Sequence, residues 1–214
     1  MNRILIIAPN WIGDAVMSQP LLANLKAIYP QTQIDVLASP WVAPIYRACS
    51  EVHQVIEAQL EHKQLQWGLR KQLAKQLELN QYTVCFVLPN SLKSALIPWL
   101  ANIPFRIGYR GEMRFGLINL ALDNPSKVNR PPMANHYFAL ANVLEHSQEI
   151  DAGKPSDPRL NILPTAKESI GAKLRAAEIN GNLIYILCPG AEYGATKRWP
   201  AKVSSRNSQL ILRG

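Results

Sequence analysis

Short apolar runs alternate with longer amphipathic stretches along this chain, the pattern of a parallel sheet assembled from βαβ units. Residues 3–8 (Arg-Ile-Leu-Ile-Ile-Ala) are apolar after the first position, as a central strand covered on both faces must be. Val16, Leu21, Leu25 and Ile28 fall broadly on one side of a helix predicted over 14–28. Pro20 is expected to kink that helix and Tyr29-Pro30 to end it. A second strand is expected at 33–38, a short helix at 41–49, a third strand at 53–57 and a long helix rich in Lys, Gln and Leu at 60–79. Residues 82–88 (Tyr-Thr-Val-Cys-Phe-Val-Leu) form the least ambiguous strand. A helix follows at 91–101 with Ser91 near its N-cap, and then a fifth strand at 105–109. The irregular stretch from 111 to 132, rich in Arg, Asn and Pro, reads as loop with a short helix, and 134–145 as helix.

This order predicts an α/β, Rossmann-like parallel sheet with helices on both faces over residues 1–150. Residues 151–158 are polar, with Gly and two Pro, which sets a linker at 151–165. A second Rossmann-like unit is expected to begin at 166–200, with a helix over 166–179 and a strand over 183–188. The last residues, 201–214, have no helical period and read as an aberrant tail. A single helix and strand cannot close a core of their own, so the second unit reads as a fragment.

Composition narrows the class without choosing a function. With 48% hydrophobic and 18% charged residues among 214, the chain can bury a sizeable core, which excludes wholesale disorder. Lys and Arg outnumber Asp and Glu by 23 to 15, a net charge of +8 that calls for an anionic partner. Nucleic acid is the weakest candidate, because no basic helix face and no aromatic–basic interleaving is present. Cys49, Cys85 and Cys188 are odd in number and widely spaced, and the latter two sit in apolar runs, as buried thiols in a reducing compartment do. The apolar run 4–8 is too short for a secretory h-region, and no segment reaches the roughly 18 apolar residues of a membrane span. The expectation is a cytoplasmic protein with at most peripheral contact with a membrane surface.

In an open parallel sheet, ligands bind beyond the carboxyl ends of the strands, and three loops qualify. In Pro9-Asn10-Trp11-Ile12-Gly13-Asp14, Gly13 allows a tight turn and Asp14 stands at a helix start. Asp14 there is either an N-cap or a general base aimed into the crevice. In Pro89-Asn90-Ser91-Leu92-Lys93-Ser94, amides, hydroxyls and a lysine suit a phosphate or polyol; alternatively Ser91 caps and Lys93 is solvated. In Arg106-Ile-Gly-Tyr-Arg110-Gly-Glu112-Met-Arg114, the arginines suit bidentate anion binding, unless Glu112 pairs with Arg110 or Arg114 and shuts the loop. A fourth segment, 188–200, offers Gly190, Gly194, Thr196 and Lys197 as a diphosphate loop or a flexible turn; it does not match the Walker pattern. No dinucleotide fingerprint is present.

Four stretches, 6–17 (Ile-Ile-Ala-Pro-Asn-Trp-Ile-Gly-Asp-Ala-Val-Met), 88–96 (Leu-Pro-Asn-Ser-Leu-Lys-Ser-Ala-Leu), 108–116 (Gly-Tyr-Arg-Gly-Glu-Met-Arg-Phe-Gly) and 188–200 (Cys-Pro-Gly-Ala-Glu-Tyr-Gly-Ala-Thr-Lys-Arg-Trp-Pro), carry a resemblance. In this order they resemble the ADP-heptose–lipopolysaccharide heptosyltransferases, and heptosyltransferase II among them, over residues 1 to about 201. The resemblance implies a GT-B glycosyltransferase, its N-terminal domain holding a Kdo-containing lipid A core acceptor and its C-terminal domain holding ADP-heptose. It implies inverting transfer of heptose without a metal or other cofactor. It also implies that Asp14 is the general base and that Lys197 meets the donor's phosphates, with Gly190 and Thr196 beside it. The acceptor set is then Asn10, Trp11, Gly13, Asn90, Ser91, Lys93, Arg110, Glu112 and Arg114. The chain leaves the family pattern after Trp199-Pro200, which reads as a truncated heptosyltransferase. Two further readings stay open: a fragment that binds acidic glycolipid without turnover, and a flavodoxin-like nucleotide-binding module.

Overall fold

The computed structural model describes residues 2–60, 64–126, 128, 130–144 and 154–179. In chain order these form β1 (Arg3–Ile7), α1 (Ile12–Ile28), β2 (Gln33–Ala38), α2 (Ala43–Arg47), β3 (Val52–Glu57), α3 (Trp67–Glu78) and β4 (Val84–Val87). There follow α4 (Leu92–Leu100), β5 (Phe105–Tyr109), β6 (Leu120–Leu122), α5 (Met133–Phe138) running on as a tighter helical turn to Leu144, and α6 (Pro164–Ala176). The chain divides into two compact units, Met1–Leu163 and Pro164–Gly214. Of the second, residues 164–179 are described; they hold α6, none of whose residues is buried. The expected strand at 183–188, with Cys188, and the expected tail at 201–214 lie outside the described residues.

The strands of the first unit form one parallel sheet in the order β3-β2-β1-β4-β5-β6. β1 is central, as its unbroken apolar run requires, and its alternation sorts the core into two layers. Ile4 and Ile6 pack with Leu21, Leu22 and Leu25 of α1, Tyr46 of α2 and Tyr137 of α5. Leu5 and Ile7 pack with Leu73, Ala74 and Leu77 of α3 and Ala95 and Ile97 of α4. Helices therefore cover both faces. The order of connection reverses between β1 and β4, where the crevice of a doubly wound sheet opens.

Several elements differ from the sequence reading in bounds or kind. α1 begins at Ile12, before Asp14, and continues through Pro20, which is itself buried. Its buried stripe is Ala15, Ser18, Leu21, Leu22 and Leu25, while Val16 and Ile28 are only partly covered. β6 was not expected: three residues in a stretch rich in Arg, Asn and Pro carry no periodic signal, and pairing with β5 supplies the strand. α2 is shorter than its surroundings suggested and leaves Trp41 exposed.

Two polar features tie the first unit together. Buried Asp35 on β2 accepts hydrogen bonds from Tyr82 Oη (2.7 Å) and His53 Nδ1 (2.9 Å), and Arg3 Nη2 lies 3.7 Å away. Gln19, buried on α1, donates to Glu51 and accepts the backbone N–H of Arg159 at 3.0 Å, while Asn161 N donates to Ala48 O at 2.7 Å. These bonds hold the segment before α6 against α1 and the end of α2.

Candidate functional site

The loops after β1, β4 and β5 meet at the carboxyl edge of the sheet around a cavity of about 570 Å³. Asn10, Trp11, Asp14, Asn90, Ser91, Arg110 and Glu112 all line it. Three loops singled out separately in the sequence therefore share one space. Lys93 lines a neighbouring cavity of about 310 Å³, which shares Asn10, Pro89, Ser91 and Glu112 with the first.

Asp14 is not the N-cap of α1. Trp11 occupies that position with an extended backbone and no side-chain cap, so Asp14 is the third residue of the helix. Gly13 lies inside the helix with ordinary backbone angles, and a Cβ built on it meets nothing within 4 Å. The tight turn expected of it is absent. The Asp14 carboxylate is half-buried, and among the described residues no hydrogen bond reaches it. Burial raises its pKa above the ordinary carboxylate value, against the pull of the helix N-terminus. A carboxylate with free lone pairs and raised basicity, facing a cavity, is suited to accept a proton.

The wall opposite is built by two loops pressed together. A Cβ on Gly111 would lie 2.9 Å from Asn90 O, so only glycine permits this approach of the loop after β5 to the loop after β4. Arg114, 3% exposed, locks the pair: Nη1 donates to Pro89 O (2.6 Å), Nη2 to Asn90 Oδ1 (2.9 Å) and Nε to Tyr109 O (3.1 Å). Its fork is turned inward, so Arg114 braces the wall. Arg106 is committed likewise, to the carbonyls of Ile103, Pro104, Gly116 and Leu117. Of the three arginines in this motif, Arg110 alone lines the cavity, and its Nε pairs with exposed Asp123 at 3.1 Å.

Ser91 caps α4 as expected, accepting from Ser94 N at 3.3 Å. Glu112 pairs with neither arginine in an ion pair. Its Oε2 accepts Leu92 N at 2.9 Å, a second cap on the same helix, supported by left-handed backbone angles at Glu112 and Met113. Two amides of α4 are thereby satisfied internally, which reduces what this helix end can offer a phosphate.

Asn124, Arg130, His136 and Tyr137 also line the cavity and were missed. His136, 6% exposed, stacks on Tyr109 at 3.7 Å between ring centroids, and its Nδ1 is buried without a hydrogen-bond partner. Burial, and then the nearby Arg130 charge, lowers its pKa, so the ring is neutral at neutral pH. No local pattern announces these residues; α5 is brought to the site by packing on α1 and by Tyr109, whose hydroxyl donates to His136 O at 2.6 Å. Gly190, Thr196 and Lys197 lie outside the described residues. Among the described residues no cluster of metal-ligating side chains occurs, and no helix is long and apolar enough to cross a membrane.

Comparison with known proteins places the chain in a family. Lipopolysaccharide heptosyltransferase 2 of Salmonella typhimurium is 41% identical over 207 residues, covering 92% of this chain and 57% of that protein. Lipooligosaccharide heptosyltransferase 2 of Haemophilus ducreyi is 42% identical over 214 residues, covering 98% and 60%. The chain thus spans less than two thirds of the curated relatives it matches. The solved structure of Escherichia coli ADP-heptose LPS heptosyltransferase II superposes with a TM-score of 0.79 at 36% identity, covering 100% of this chain and 62% of that one. A family 9 glycosyl transferase from Veillonella parvula, at 16% identity, shares the fold with a TM-score of 0.81. Residues 70–206 match glycosyltransferase family 9 (heptosyltransferase), and the chain belongs to that family.

Proposed function

We propose that the first unit is the acceptor side of a heptosyltransferase that moves L-glycero-D-manno-heptose from ADP-heptose to a heptosyl-Kdo-lipid A inner core. The observation that carries this reading is Asp14: a half-buried carboxylate of raised pKa, without a hydrogen bond from the described residues, in the cavity where three loops meet. In this mechanism an acceptor hydroxyl attacks the anomeric carbon of the donor, forming the new glycosidic bond with inversion. The bond from that carbon to the diphosphate breaks and ADP leaves with the electron pair. The hydroxyl proton passes to the Asp14 carboxylate. Asn10, Trp11, Asn90, Ser91 and Arg110 would hold the acceptor against the wall that Gly111, Glu112 and Arg114 keep rigid. Lys197, with Gly190 and Thr196, is the proposed contact to the donor's diphosphate. No metal or other cofactor takes part in this scheme. The acceptor is a lipid-linked sugar, so the reading places the protein in the cytoplasm with peripheral contact at the inner membrane, and not on nucleic acid.

The test is a chimera joining residues 1–200 to the remaining C-terminal part of the Salmonella relative, assayed for acceptor-dependent ADP release beside the chain itself. Asp14→Asn in the chimera is expected to lower kcat by about 10²–10⁴-fold while acceptor binding changes little. The acid limb of the rate should reflect a carboxyl pKa above the ordinary value, because activity needs Asp14 ionised. Near-wild-type turnover in Asp14→Asn would remove Asp14 from the chemistry.

A further inference from the structure

The smaller cavity holds a feature that the proposed reaction does not use. Arg70 of α3 is 4% exposed, yet among the described residues it has no carboxylate within ion-pair distance. Its Nε donates to Leu65 O (2.7 Å) and its Nη1 to Lys93 O (2.8 Å), both neutral carbonyls; its other donors have no partner among the described residues. A buried guanidinium is ordinarily paired, because desolvating a lone charge is costly. Burial does lower the pKa of Arg70, the direction expected of an uncompensated cation. Lys93, on the same wall, also has no acidic partner among the described residues. The strand ends add apolar lining from Ile7, Leu37 and Ala38, and Ser39 lines the same cavity. Glu112, the boundary shared with the Asp14 cavity, is held by the Leu92 amide.

We infer that this second cavity is an anion subsite in which Arg70 and Lys93 take a phosphate or carboxylate group carried on a sugar. The inference rests on the proposed function only in naming the carrier as the acceptor. If the acceptor's reacting hydroxyl lies at Asp14, a second group of the same molecule, beyond the Asn10–Ser91–Glu112 boundary, lies against Arg70. The subsite then acts as a ruler: it selects acceptors that bear a negative charge at that spacing from the reacting hydroxyl. Arg70 supplies a fixed, pre-oriented fork and Lys93 a movable point charge.

Calorimetric titration of the 1–214 chain with inorganic phosphate, and separately with glucuronate, tests the subsite without turnover. Saturable binding that Arg70→Met and Lys93→Met each weaken by about tenfold is expected, the loss typical of one charge-assisted contact. Arg110→Gln, in the other cavity, should change it less than twofold. Tighter binding of phosphate than glucuronate would identify a phosphoryl group, and the reverse a sugar carboxylate; either agrees with the subsite. Wild-type binding too weak to saturate, variants that bind as the wild type does, or an equal loss in Arg110→Gln would each overturn it. Lys93→Met, which removes no buried hydrogen bond, decides the matter if Arg70→Met does not fold. These readouts are independent of Asp14, so loss of the catalytic reading leaves the anion result standing, and the converse holds.

Discussion

Replacing Arg114 with methionine keeps the length of its stem and removes its fork. Three acceptors then lose their donor: Pro89 O at 2.6 Å, Asn90 Oδ1 at 2.9 Å and Tyr109 O at 3.1 Å. Each hydrogen bond to a charged donor typically contributes about 1.5–3 kcal/mol. The gross loss is reduced because the guanidinium regains its hydration in the unfolded chain and because water can enter the vacated space. A net destabilisation of about 2–4 kcal/mol remains, because three buried acceptors lose their donor while no unpaired charge is left behind. Arg114→Lys should recover less than half of it, since one ammonium cannot reach three acceptors in a fixed plane. Urea unfolding followed by far-ultraviolet circular dichroism gives the difference directly, with the slope against urea unchanged. A brace and a ligand contact separate cleanly here. If Arg114→Met lowered stability by under about 1 kcal/mol while weakening anion binding, the inward assignment of its fork would be wrong.

Other expectations follow from the same geometry. Gly111→Ala sets a Cβ 2.9 Å from Asn90 O, a backbone atom, so the two loops must separate; a cost of about 1–3 kcal/mol is expected in the same urea assay. Asp35→Asn should cost about 3 kcal/mol, because Tyr82, His53 and Arg3 lose the buried carboxylate they share. Burial, and then the Arg130 charge, holds the folded-state pKa of His136 below the ordinary histidine value of 6.5, so below that pH the unfolded chain takes up its proton first. Its contribution is whole above pH 6.5 and is lost as pH falls toward the folded value. His136→Phe, which keeps the stack on Tyr109, should flatten that part of the stability–pH curve, and an unchanged slope would show that His136 does not cause it.

The sheet was legible because its central strands are apolar at consecutive positions, which few other structures allow. β1, β2 and β5 end within a residue of where their patterns end. β6 was not legible, since Leu-Ala-Leu is too short to show a period and becomes a strand only beside β5. The three loops at the site were found by the rule that ligands gather at strand carboxyl ends, a rule of topology. Direction within those loops was invisible. Arg106, Arg110 and Arg114 look alike in sequence, yet two turn inward to carbonyls and one outward to the cavity. The start of α1 was misplaced because Trp11 and Ile12 give no capping signal, and Asp14 drew the boundary to itself. Arg70 went unremarked within a helix rich in Lys and Gln, because its burial depends on contacts across the fold with residues such as Lys93.

The two borders of the sheet bear on how this protein behaves when crowded. A parallel sheet ends in rows of unpaired amides and carbonyls, and such rows invite strands from other molecules to add on. Here one border is β3, whose His53, Gln54 and Glu57 are exposed and whose Glu57 is paired with Arg47. The other is β6, three residues long. Charge and polar bulk obstruct the first border, and brevity leaves the second too little to template. Growth of the sheet by recruitment is therefore discouraged on both sides. Molecules gathered at high local concentration would still meet one another as separate particles.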